Sequence, residues 1–122
     1  MTTVSPGQTL GILSGQTSTG IIVQGNGALV VDSGGNAVST VVQNAGGQLI
    51  VDVGGFANSS TFIGGAEYLE GSDSNTTLSS GTSQTDLGTA TNTTVYSGGE
   101  QDVYGTANGA TVYSGGTTTM RR

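Results

Sequence analysis

Glycine recurs along the chain at Gly15, Gly35, Gly55, Gly71, Gly88 and Gly105, with gaps of 20, 20, 16, 17 and 17 residues. A unit this short cannot enclose a core of its own. It must bury its apolar side against the next unit, so the chain has to stack coil upon coil. An apolar column keeps the same step at Ile22, Val42, Phe62, Leu78, Val95 and Val112. Small residues follow each glycine by two positions: Thr17, Ala37, Ala57, Asp73, Ala90 and Ala107. The agreement is closest where residues 94–99 and 111–116 both read TVYSGG.

Local signals are those of strand and turn. Val, Ile, Thr and Tyr dominate between the glycines and favour extended backbone. Leu49, Val51 and Val53 alternate with Ile50 and Asp52, the period of a strand with one buried face. GG pairs mark the corners, where glycine reaches positive φ without steric cost. This places Gly55 in the left-handed region and Val53 in the core. No capped 3.6-residue stripe appears, so no helix longer than a turn is expected.

Together these features predict an all-β fold, a right-handed parallel β-solenoid of about seven coils of 16–20 residues. It forms one domain over 1–122, with 20-residue coils to about 61 and 16–17-residue coils over 62–122. The shortening predicts a narrower cross-section or a lost corner in the second half. Strand spacing sets a rod roughly 35 Å long. Asp86 falls in an inward column, and a one-residue slip that buries Leu87 instead would avoid a charge in the core.

Composition then removes whole classes of function. The chain has no His, Cys, Lys or Trp, which excludes a His-based triad, a thiol nucleophile and the usual zinc sites. The net charge is −6, and only Arg121 and Arg122 could meet phosphates, so nucleic acid is not expected as a partner. No apolar run is long enough for a spanning helix, so no membrane insertion is expected. The N-terminal residues lack the basic and apolar segments of a signal peptide. Charged residues are only 8% of the chain, yet the register of apolar positions argues against disorder.

Few side chains remain for chemistry. Asp32 and Asp52 hold equivalent positions in adjacent coils, about 5 Å apart. They read as solvated surface carboxylates, a weak calcium site or a paired-acid catalyst. Tyr96 and Tyr113 stack in register, as a sheet-stabilising pair or as a platform for sugar. Columns of Thr77, Thr94, Thr111 and of Gln84, Gln101, Thr118 suit self-association, because amide rows hydrogen-bond along a stack. No catalytic, cofactor-binding or metal-binding residue is assigned, and no enzyme is expected.

Residues 94–119 (TVYSGGEQDVYGTANGATVYSGGTTT) and 41–61 (VVQNAGGQLIVDVGGFANSST) resemble the repeats of AIDA-type bacterial autotransporter adhesins, which read T-x-V-x-x-G-G-x-Q-x-V-x-x-G-G-x-A. The resemblance covers most of residues 20–119. It implies a right-handed β-helix at the bacterial cell surface or outside the cell, used for aggregation, adhesion and biofilm formation. It also implies O-glycosylation by dedicated heptosyltransferases, with Ser33, Ser97 and Ser114, the hydroxyls before GG, as the corresponding residues. This sequence departs from the family architecture in having no signal peptide and no C-terminal β-barrel, which puts self-export of this chain alone in doubt.

Three functions fit these observations. One is a structural, self-associating extracellular solenoid, stacking end to end into filaments. Another is a carbohydrate-binding module for cell-surface glycans using Tyr96 and Tyr113. A third is a polysaccharide-processing enzyme using Asp32 and Asp52. A non-functional fragment of a larger secreted protein is a further reading.

Overall fold

The computed structural model describes residues 2–121 and holds only strands, turns and bends, with no helix among them. Twenty short strands, β1 to β20 in chain order, form three sheets, and every strand pair is parallel. The first sheet stacks β1 (Thr3–Val4), β4 (Ile22–Val23), β7 (Val41–Val42), β10 (Thr61–Phe62), β13 (Thr77–Leu78), β16 (Thr94–Val95) and β19 (Thr111–Val112). The second stacks β2 (Thr9–Ile12), β5 (Ala28–Val31), β8 (Gln48–Val51), β11 (Ala66–Leu69), β14 (Ser83–Asp86), β17 (Glu100–Val103) and β20 (Thr117–Met120). The third stacks β3 (Thr17–Thr19), β6 (Asn36–Val38), β9 (Phe56–Asn58), β12 (Ser72–Ser74), β15 (Thr89–Thr91) and β18 (Thr106–Asn108). The molecule is a parallel β-solenoid of about seven turns.

The register refines the repeat. Thr3 pairs with Ile22, Ile22 with Val41, Val41 with Thr61, Thr61 with Thr77, Thr77 with Thr94 and Thr94 with Thr111. Coils therefore run 19, 19, 20, 16, 17 and 17 residues. The shortening sits mainly at the second corner, which takes four residues at 13–16, 32–35 and 52–55 but two at 70–71, 87–88 and 104–105. In the long form a β-turn closes with Gly55 N–H donating to the Asp52 carbonyl at 2.8 Å. Gly54, at φ +85°, occupies the left-handed position that such a turn needs. The short form dispenses with that turn.

Several expectations change with this register. Gly55 is not left-handed; it must be glycine because a Cβ there would stand 2.8 Å from the Val31 carbonyl oxygen. In the first coil Gln16 fills the place that Gly35, Gly55, Gly71, Gly88 and Gly105 fill later, while the left-handed Gly15 pairs with Gly34. The apolar column likewise runs through Val23 and not Ile22: Val23 aligns with Val42, Phe62 and Leu78, and Ile22 faces outward, half-buried. Val112 is the last member of that column among the described residues and is 43% exposed.

The core is a hollow filled by five inward columns, one of them Ile21, Thr40, Ser60, Thr76 and Thr93 at the corner between the third and first sheets. Val4, Val23, Val42, Phe62, Leu78 and Val95 line it from the first sheet. Ile12, Val31, Val51 and Leu69 line it from the second, and Ala37, Ala57 and Ala90 from the third. Asp86 follows Leu69 inward, and Leu87 is 40% exposed, so the expected slip does not occur. Backbone pairing above and below β14 fixes its register, and moving one residue would turn every side chain of the strand over. Val53 is 70% exposed, because β8 ends at Val51 and the corner carries it outward. Val53→Asp is therefore expected to change stability by no more than about 0.5 kcal/mol; urea unfolding of the variant checks this.

Candidate functional site

The most distinctive chemistry lies inside the rod. The remaining inward column of the second sheet starts with Leu10, Leu29 and Leu49 and continues as Glu67, Gln84, Gln101 and Thr118. The Gln84 Nε2 amide donates to Glu67 Oε1 at 2.6 Å and to Asp73 Oδ2 at 2.7 Å. Gln101 Nε2 donates to Gln84 Oε1 at 2.7 Å, and Thr118 Oγ1 donates to Gln101 Oε1 at 3.2 Å. Thr76 Oγ1 also donates to Asp73 Oδ2, at 2.8 Å. The result is a directional ladder in which each coil donates to the one before it and the final acceptors are two carboxyl groups.

Those acids are strongly perturbed. Burial pushes the Glu67 carboxyl well above the usual carboxylate range, and the negative Asp73 beside it adds to the shift. Burial also raises Asp73, while hydrogen bonds from Glu67, Thr76, the Thr91 backbone and Gln84 restrain it. Asp86 is pushed up to about 7 by burial and then by Asp73, with the Gly88 N–H, 3.1 Å from Oδ1, opposing. Glu67 Oε2, Asp73 Oδ1 and Asp86 Oδ2 find no donor among the described residues. The signal for this ladder was present in sequence as the 17-residue step from Glu67 to Gln84 to Gln101 to Thr118; what was missing was its inward direction.

The outer candidates are plainer. Asp32 and Asp52 occupy one corner column, as expected, and Glu70 extends it, since Asp52 N–H donates to Val31 and Glu70 N–H to Val51. All three are half-buried at the rod surface. Among the described residues no group of three or more His, Cys, Asp or Glu is placed to hold a metal ion. Tyr96 and Tyr113 stack with ring centroids 5.0 Å apart and planes 4° apart. One face of each ring is turned to the other, and both side chains are exposed on the side of the rod. Arg121 meets Asp102 at 3.5 Å on the exterior, and Arg122 lies outside the described residues.

Ser33, Ser97 and Ser114 are exposed, but on two different corners: Ser33 on the second, Ser97 and Ser114 on the first. The Ser33 and Ser97 hydroxyls lean over Gly54 and Gly115 of the next coil, in space that any Cβ there would take. A depression on the outer face of the second sheet is lined by Gln48, Ile50, Ala66, Tyr68 and Thr85.

No family model matches the chain, and no curated protein matches it. Among solved structures, the crystal structure of a TibC-catalyzed hyper-glycosylated TibA fragment is similar to it. The alignment covers 98% of this chain and 77% of that one, at 21% sequence identity and a TM-score of 0.39.

Proposed function

We propose that this chain is a structural, adhesin-like β-solenoid of the bacterial surface or extracellular space, associating with copies of itself. The observation that carries the reading is the unbroken parallel stack of coils along three sheets, which repeats one outer surface down the rod. A surface that repeats at the strand spacing lets copies associate side by side through one contact made many times.

The rest of the surface supports a passive role. Its outward rows are hydroxyls such as Thr61, Thr77, Thr94 and Thr111, in register on the first sheet. The repeat pattern resembles that of AIDA-type adhesins, and under that reading Ser33, Ser97 and Ser114 are sugar acceptors and not catalytic groups. No enzymatic role is proposed for Asp32 and Asp52.

Sedimentation and negative-stain microscopy test the assembly. Assemblies that grow with protein concentration are expected. A wild-type chain that stays monomeric at all concentrations overturns the self-association.

A further inference from the structure

The second half of the rod contains acids that no described residue neutralises. Glu67 and Asp73 share the Gln84 amide, and Asp86 lies on the same side of the hollow, one coil further on from Glu67. All three are buried. The inward neighbours are Leu49, Val51 and Ala57 on one side and Ala90, Gln101 and Val103 on the other, none of them titratable. The chain has no lysine or histidine, and Arg121 spends its charge on Asp102 outside. Three orphaned carboxyl oxygens remain in the cluster: Glu67 Oε2, Asp73 Oδ1 and Asp86 Oδ2. Ionised, these groups would face one another in a space sealed from water, at a cost that a burying strand cannot offset. Protonated, Glu67 can donate to Asp73, and the Gln84 amide then closes a satisfied network.

We infer that Glu67, Asp73 and Asp86 form a proton-loaded latch that holds the coils from 61 onward closed in acid and loosens them as the surroundings turn alkaline. The direction follows from linkage. The folded chain keeps protons that the unfolded chain releases near pH 4, so between there and the folded values the folded state binds more protons. Stability is then full below the unfolded values and falls as pH rises between them and the folded values, the share of Asp86 being lost as pH passes about 7, where it titrates in the folded chain. Raising pH toward about 5 stabilises a chain whose carboxylates form ion pairs; here the order is reversed. The solenoid geometry localises the effect, since each coil contacts only its neighbours.

Thermal unfolding at pH 5 and pH 8 in high salt, which screens the surface carboxylates but not buried ones, tests the latch. The wild-type melting temperature is expected to fall by about 10 °C between the two. Glu67→Gln and Asp86→Asn together mimic the protonated forms and are expected to remove most of that fall, whereas Asp32→Asn with Asp52→Asn leaves it intact. Hydrogen exchange on the unmodified chain gives an independent reading: amides of β11, β12 and β14 should lose excess protection at pH 8, beyond the intrinsic rate change, while those of β5 and β8 keep it. A wild-type melting temperature that is flat or rises with pH overturns the inference. So does an amide variant that retains the full slope, or recovery at pH 8 on adding millimolar calcium, which would make the cluster a cation site.

Discussion

Gly88→Ala is expected to unfold the second half of the rod. The residue has ordinary backbone angles, so conformational freedom is not the reason. An added Cβ would fall on the carbonyl oxygen of Gly71 and stand 2.5 Å from that of Glu70. Both belong to the backbone of the coil before and cannot swing aside. The Gly71 carbonyl is also fixed by pairing, since Thr89 N–H donates to it at 3.0 Å. Relieving the overlap means prising two coils apart, and the cost is about 3 kcal/mol or more, at the upper end for overpacking. Gly81→Ala is the contrasting variant. Its φ is +80°, but no atom lies within 4 Å of the added Cβ, so only about 1–2 kcal/mol of backbone strain is expected. Urea unfolding followed by circular dichroism separates the two.

Phe62→Ala is the second large effect, at about 3–5 kcal/mol. Phe62 is fully buried and is the largest wholly buried side chain, set between Val42 and Leu78. It lies in the 16-residue coil, where the long corner gives way to the short one and the leucine column gives way to Glu67. Because stability passes only between adjacent coils, a cavity there should also uncouple the two halves. A single melting transition in the wild type should therefore become two in the variant; one unshifted transition would mean that the interior tolerates the void.

The glycine ladder made the solenoid legible, and the 16- and 17-residue steps after Gly55 match the observed register. It misled where the corner changes length. Counting back two residues from each glycine groups Leu13, Ser33 and Val53 with Leu69, Asp86 and Val103, yet the first three sit on a corner and the last three in a strand. The two residues dropped from that corner shift everything upstream of the glycine, and no local propensity records the loss. The first coil slipped by one for a related reason: Gln16 stands where later coils have glycine, so Gly15 drew the alignment to itself. Asp86 was misjudged on energetic grounds. A charge in the core looked too costly, but a proton and the Gly88 N–H remove much of that cost, and neither is visible in a column of letters.

Cysteine pairing tests the winding most directly, because the chain has no cysteine of its own. Ile22 and Val41 are paired in register on the outside of the first sheet, whereas Val42 points into the core. Neighbouring strands stand about 4.8 Å apart, within the Cα range a disulfide bridges, about 4.4–6.8 Å. Ile22→Cys with Val41→Cys is expected to cross-link under mild oxidation, and Ile22→Cys with Val42→Cys to stay reduced in the folded chain. The opposite pattern, or failure of the Ile22–Val41 pair to link, would contradict coils stacked in this register.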